Sequence, residues 1–298
     1  MTQIRVELPE ALTRMPVKAF LTQKEGISST QWKRIKHSGT FRVNGILCNA
    51  ARTEVRSGDI ITFDIVRPSD IEPEDLPLDI RYEDDYLMVV NKPAGQLVHP
   101  TTKEAHGTLG NAVLYWYRAH GEHHAYHPVH RLDRNTSGLV LIAKVPQVQY
   151  KLTPRRGEGK LFHREYLALI EGELTPPEGL IDAPIARALP SIILRKVALD
   201  GQAARTHYDT VQTDGQLSLV HLVLDTGRTH QIRVHLAHIG HPILGDTVYG
   251  NKKPVPGLTG QCLHAVGLQF IHPRTKELVS LSCPLPGEFT AALRKIDR

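Results

Sequence analysis

His127-Pro128-Val129-His130-Arg131-Leu132-Asp133-Arg134-Asn135-Thr136-Ser137-Gly138 runs directly into Leu139-Val140-Leu141-Ile142-Ala143. The second half is a continuous apolar run of strand length, the pattern of a strand buried on both faces. The first half is a polar loop feeding that strand, and loops carried on rigid scaffolds are where reacting groups concentrate. Asp133, flanked by Arg131 and Arg134, therefore has two readings: a surface charge cluster or turn carboxylate, and a reacting carboxylate at the mouth of a buried strand.

Working outward, Tyr86–Val90, Tyr166–Ile170 and Leu217–Leu224 are further apolar or alternating runs of strand length. Two helices are predicted between them. Leu109–Ala119 has Thr108 as its cap and Gly121 as its stop; His230–Ile239 has Ile232, Leu236 and Ile239 on one face and ends at Gly240. Strands outnumber helices and do not alternate with them, so the expected class is α+β, a mixed, largely antiparallel sheet with flanking helices. There is no Gly-x-Gly-x-x-Gly or phosphate-loop pattern and no internal repeat.

The chain has 298 residues, 41% of them hydrophobic, which suffices for one large domain or two unequal ones. No apolar run approaches the ~20 residues that span a bilayer, and the start lacks the apolar stretch of a secretion signal. Cys48, Cys262 and Cys283 are widely and unrelatedly spaced, suggesting neither a disulfide framework nor a thiolate zinc site. A cytoplasmic protein is expected. The net charge of +5 is unevenly spread: residues 1–67 hold 11 basic and 6 acidic side chains, 68–79 hold 5 acidic and no basic ones, and 80–298 hold 25 and 20. The acidic strip has Pro68, Pro73 and Pro77 and no apolar periodicity, so it reads as an extended, solvated linker. The expected division is a small unit over 1–67, a linker over 68–79 and a large domain over 80–298.

In the small unit, Ser28 and Gln31 form a capping box ahead of a basic helix, Gln31–His37, carrying Lys33, Arg34 and Lys36. Phe41-Arg42-Val43 and Ile46-Leu47-Cys48 flank the hairpin signal Asn44-Gly45, and Gly58-Asp59 precedes Ile60–Phe63. Taken alone, the charge run is a solvated helix face. The order of elements resembles the αL-type RNA-binding module shared with a small-subunit ribosomal protein, over about 50 residues, with Val17–Glu25 as a poor copy of its first helix.

A second polar cluster, Thr226–His235, opens the late helix. Arg233 follows inward-facing Ile232, and a guanidinium there would keep a neighbouring buried carboxylate ionised, while Arg228 and the helix-start amides suit a phosphate. The bland alternative is surface arginine. His120, His123, His124, His127 and His130 invite a metal reading, but Gly121 and Pro128 break the helix that would align them and no acidic or thiolate ligand sits at the right spacing.

Together these segments look like a known family. His130-Arg131-Leu132-Asp133-Arg134-Asn135-Thr136-Ser137-Gly138-Leu139 resembles the signature of the RluA/RluD-type RNA pseudouridine synthases. Val90–Gly95 with Val98-His99-Pro100, Arg164–Ala168, Gly227–His235 and Gly240–Asp246 with Tyr249-Gly250 fall in that family's order, from about residue 80 to 290. The resemblance implies the pseudouridine synthase fold and conversion of uridine to pseudouridine without a cofactor or metal. It makes Asp133 the catalytic aspartate, Tyr166 the tyrosine near the uracil and Arg233 the partner of Asp133. His130 and Arg131 would shape the loop and help extrude the nucleotide; Arg228 and His230 would contact RNA, as would Lys33, Arg34 and Lys36. Asp246 reads as a structural turn residue. Arg164, where lysine is common, and Gln96, where an apolar residue is usual, are expected to lie outside the chemistry. The implied partner is large-subunit ribosomal RNA, with transfer RNA as the other RNA class. A monomer is the default expectation, and no membrane contact is expected from the apolar runs. The competing readings are a non-catalytic RNA-binding or ribosome assembly protein on the same fold, and a metal-dependent hydrolase using the histidines.

Overall fold

The computed structural model describes residues 2–9, 13–25, 27, 29–37, 39–65, 71–153, 162–191, 193–296. Its strands form a four-stranded sheet near the start of the chain, a ten-stranded one over the remainder and two small ribbons, Met15–Pro16 with Glu54–Val55 and Ile185–Arg187 with Arg195–Val197.

The small sheet pairs Thr2–Glu7 with Ile60–Ile65, which in turn pairs with Arg42–Val43 and through it with Ile46–Leu47. Asn44 and Gly45 turn that last hairpin with φ of 50° and 81°, the two positive values that a tight primed turn demands. Gly58 and Asp59 do precede a strand. The helix spans Ser29–His37, and Trp32 and Ile35 bury themselves with Phe20, Phe41 and Phe63 in a core of their own. Ser28, the expected cap, lies outside the described residues, as does the Gln31 side chain. The first helix is irregular: Val17–Ala19 is α-helical and Phe20–Lys24 continues as a π-helix.

The acidic stretch is more fixed in place than a linker reading alone implies. Residues 66–70 lie outside the described residues; the following stretch is half-buried or exposed throughout, yet it is held to the large unit. The Glu72 carbonyl accepts from Asn111 Nδ2 at 2.7 Å, the Glu74 carboxylate accepts from the Gly107 amide at 3.0 Å, and Ile71 packs on the large core. Acidic composition signals exposure, but backbone and carboxylate acceptors also satisfy donors at the start of a neighbouring helix.

The large sheet has ten strands: β1 (Ile80–Glu83), β2 (Leu87–Lys92), β3 (His127–Pro128), β4 (Ser137–Ala143), β5 (Phe162–Glu171), β6 (Glu178–Asp182), β7 (Arg205–Thr213), β8 (Leu217–Leu224), β9 (Leu263–Ile271) and β10 (Leu278–Ser282). The spatial order is β6-β7-β8-β5-β9-β4-β2-β1, with β3 beside β4 and β10 beside β9. All pairs are antiparallel except β4 with β9, where Ser137 faces His264 and Gly138 faces Ala265.

That parallel junction explains Gly138. Its φ is +110°, and a Cβ there would stand 2.3 Å from the Ala265 carbonyl oxygen, so only glycine lets the loop enter the sheet at this point. Every residue of β4 is buried. Leu139 and Leu141 face one core with Val148 and Leu152 of the helix Pro146–Leu152; Val140 and Ile142 face the other with Val113 and Tyr117 of the helix Leu109–Ala119. This two-residue alternation under helices on both sides holds β4 rigid, with each buried aliphatic side chain stabilising the fold by about 1.5–3 kcal/mol. The Leu109–Ala119 helix is capped as expected by Thr108, which exchanges bonds with Asn111, and ends at Gly121.

Candidate active site

The loop before β4 is clamped from three directions. Leu132 is buried in the core, the Thr136 amide donates to the Asp133 carbonyl at 3.1 Å, and Lys92 Nζ donates to the Arg134 carbonyl at 3.0 Å. Lys92 is fully buried and also donates to the carbonyls of Pro93 and Gln96, at 2.7 and 2.9 Å. Between these anchors the Asp133 side chain points into a cleft with Arg131, Arg164, Tyr166, Arg228, His230 and Arg233.

Arg233 belongs to the helix Gln231–His238, and the surface alternative for it is excluded, since it is 6% exposed. Its Nη1 donates to Asp133 Oδ2 at 3.1 Å, while Nε and Nη2 grip Asp246 Oδ2 and Oδ1 at 2.7 and 2.9 Å. Asp246 Oδ1 also accepts the Val248 and Tyr249 amides, at 2.9 and 3.1 Å. Asp246 is thus a turn residue, as expected, and also the bidentate anchor of the arginine, which sequence reasoning did not assign. Burial works against the charge on Arg233, but the two carboxylates outweigh it and hold the guanidinium more firmly protonated than usual; burial likewise pushes Asp246 up, and Arg233 with the two amides brings it below the ordinary carboxylate range.

The helix keeps this position because its other polar groups are satisfied inside the fold. Gln231 Oε1 accepts from Thr226 Oγ1 and the Arg228 amide, and Gln231 Nε2 donates to the Arg205 carbonyl. His235 lies between Thr206 Oγ1 and the Ala183 carbonyl, 2.9 Å from each. The helix is therefore buried nearly all round, where an amphipathic helix with one apolar face was expected.

Tyr166 lines the cleft from β5 and is 4% exposed; burial raises its hydroxyl above the usual phenol value, against the pull of the neighbouring Arg164 guanidinium. Arg164, expected to lie outside the chemistry, lines the cleft beside Tyr166 and presses on Gly227, where a Cβ would stand 2.8 Å from Nη2.

The remaining expected site residues divide. Arg131 and Arg228 line the cleft and are exposed, with Arg228 Nε donating to the Ala203 carbonyl at 3.0 Å. His130 does not line it: its ring stacks on Phe162 at 5.4 Å and its Nε2 accepts the Leu141 amide at 3.2 Å, so it ties the loop to β4. His230 lines the cleft but is held by Tyr249 inside the fold. Lys33 and Lys36 are exposed on the helix of the small unit and form no part of this cleft; the Arg34 side chain lies outside the described residues. Among the described residues no group of three or more metal-ligating side chains occurs, no helix is long and apolar enough to cross a membrane, and all three cysteines are free. The histidines of 120–130 are dispersed: His120 lies on Trp116, His124 against Tyr117 and His130 on Phe162.

One family model, that of RNA pseudouridylate synthases, matches residues 86–238, a span that contains Asp133, Tyr166 and Arg233. The chain belongs to the RNA pseudouridylate synthase family. It is 39% identical over 274 residues to the ribosomal large subunit pseudouridine synthase D of Vibrio cholerae, covering 86% of this chain and 84% of that one. It is 40% identical over 238 residues to an uncharacterized RNA pseudouridine synthase of Bacillus subtilis, covering 78% of each. Among solved structures, human RNA pseudouridylate synthase domain containing 4 has the same fold, with a TM-score of 0.57, 24% identity and coverage of 74% of this chain and 93% of that one. The mixed, largely antiparallel sheet is therefore a pseudouridine synthase fold, and the chain is an RNA pseudouridine synthase.

Proposed function

We propose that this synthase isomerises uridines of large-subunit ribosomal RNA, with Asp133 acting on the ribose, Arg233 holding that carboxylate and Tyr166 lying against the uracil. The observation that carries the reading is the Asp133–Arg233–Asp246 chain opening into a cleft beside Tyr166. The reaction breaks the bond from ribose to N1, turns the uracil and rejoins it through C5; C5 loses a proton and N1 gains one, with no change of oxidation state. A carboxylate serves whether it attacks the ribose or removes a ribose proton, and in both cases it must be the anion that Arg233 pairs with.

The RNA class comes from relatives named large subunit pseudouridine synthase D, which align over most of the chain. The cleft is rimmed by Arg131, Arg164 and Arg228, a basic surround suited to the phosphates flanking an extruded nucleotide. The separate core running from Val6 to Phe63 supports reading residues 1–67 as an RNA-holding module joined to a catalytic unit. The enzyme is taken to act as a monomer in the cytoplasm. The test is tritium release from ribosomal and transfer RNA carrying uridine labelled at C5. Wild type should release tritium from ribosomal RNA, and Asp133→Asn, which keeps the shape and loses the carboxylate, should fall by at least about a thousandfold while still binding. No release from any RNA by a folded protein that binds RNA would favour the non-catalytic alternative.

A further inference from the structure

A second chain of polar groups, which the reading above leaves without a task, reaches the cleft through His230. The Arg195 amide donates to the Tyr249 hydroxyl oxygen at 3.0 Å. That hydroxyl still has its own hydrogen to place, and His230 Nδ1 stands 2.7 Å away as an acceptor. A ring nitrogen that accepts carries no proton, so the neutral imidazole bears its hydrogen on Nε2. Nε2 lies 3.8 Å from Oδ1 of Asp133, the oxygen that Arg233 does not hold.

We propose that Tyr249 and His230 are positioning residues for the isomerisation: Tyr249 locks the His230 ring as an Nε2–H donor, and that donor steadies the second oxygen of Asp133 when uridine is bound. The inference rests on the reading of Asp133 as the reacting carboxylate. In the free protein the 3.8 Å contact is electrostatic, and closing by roughly 1 Å makes it a hydrogen bond, as active-site bonds commonly tighten once substrate is in place. Asp133 then has a fixed donor on each oxygen, and its orientation no longer depends on Arg233 alone.

The backbone supports a specific task for His230. It sits at the start of the Gln231–His238 helix with φ of 58°, a left-handed conformation uncommon outside glycine, and its side chain caps no helix amide. The ring is aimed instead across the helix end at Tyr249 and Asp133. The charged and titratable groups around it are Asp133, Asp246, Arg233, Arg195 and Tyr249. Burial, with the two arginines, outweighs the two carboxylates and keeps the imidazole below its ordinary value, so the neutral donor form prevails at neutral pH.

Tyr249→Phe is the informative variant, because it keeps the ring that stacks on Arg233 at 5.0 Å and removes only the hydroxyl. Single-turnover rates on ribosomal RNA, at saturating enzyme and across pH, should fall about tenfold with RNA affinity unchanged. Protonating Nδ1 turns away the Tyr249 hydroxyl and sets a full positive charge beside Asp133, which weakens that carboxylate as nucleophile or base; the acid limb this produces should move to higher pH in the variant, since Nδ1 loses the donor that favours the neutral ring. His230→Gln, which retains a donor, should be faster than His230→Ala and should lack that limb. A wild-type rate with an unmoved acid limb in Tyr249→Phe, or equal rates for the two His230 variants, would overturn the inference alone. A wild type inert on every RNA would overturn the reading of the cleft and this inference with it.

Discussion

Two buried cations flank the Asp133 loop, Arg233 with carboxylates on two sides and Lys92 with three carbonyl oxygens. Arg233 is held more firmly protonated than usual, whereas burial pushes Lys92 down to about 7 even with Asp133 acting to keep it charged. Carbonyl dipoles satisfy the three ammonium hydrogens and fix the loop, but they do not replace the hydration lost by a full charge; two carboxylates do. Arg233 is thereby suited to hold an anion through a reaction. Lys92 is suited to bind backbone together, tying β2 and the residues after it to the loop.

Arg233→Leu should break the stronger side of this comparison. Leaving Asp246 buried without its cation should cost about 3–5 kcal/mol in urea unfolding, and turnover should drop by at least about a hundredfold. Retained stability with full turnover would show that the pairing matters neither to fold nor to chemistry. Lys92→Met sharpens the weaker side. Three carbonyls lose a donor and the fold should lose about 2 kcal/mol near neutral pH. In wild type the folded Lys92 releases its proton near 7 while the unfolded chain holds it to about 10.4, so between those values the unfolded state binds more protons and this residue makes stability rise with pH. Unfolding titrations at several pH values should show a flatter slope in the methionine variant, and parallel slopes would remove Lys92 from the titration. The smallest effect is expected at Arg228, an exposed cation that serves as the control: Arg228→Ala should weaken RNA binding a few-fold, reduce the slope of log affinity against log salt by about one, and leave the unfolding midpoint unchanged.

Elements with strong local signals are legible in the order of residues alone. The Leu109–Ala119 helix is bounded by Thr108 and Gly121, and β4 carries an unbroken apolar run. The strands that sequence patterning misses, β1, β3, β6, β7, β9 and β10, lack such signals. On β7 most positions are exposed or half-buried, and β9 carries Gly267 and a register shift opposite Glu165 and Tyr166. Their existence depends on a neighbouring strand offering hydrogen bonds, which local sequence does not encode.

The site divides in the same way. Sequence by itself determined the fold class and the polar loop ahead of a buried strand, and the pairing of Asp133 with Arg233 came only as what the resemblance to a family implied. The first two signals are local: a run of apolar residues, a turn glycine, a short string of polar side chains. Tertiary structure alone decided that Asp246 clamps the far edge of Arg233, that Arg164 lines the cleft with Tyr166, that His130 faces a core ring and that the Tyr249 hydroxyl stands beside His230. Each of these depends on distances that only the folded chain sets, and on burial that makes a charge or a lone pair costly unless a particular partner meets it.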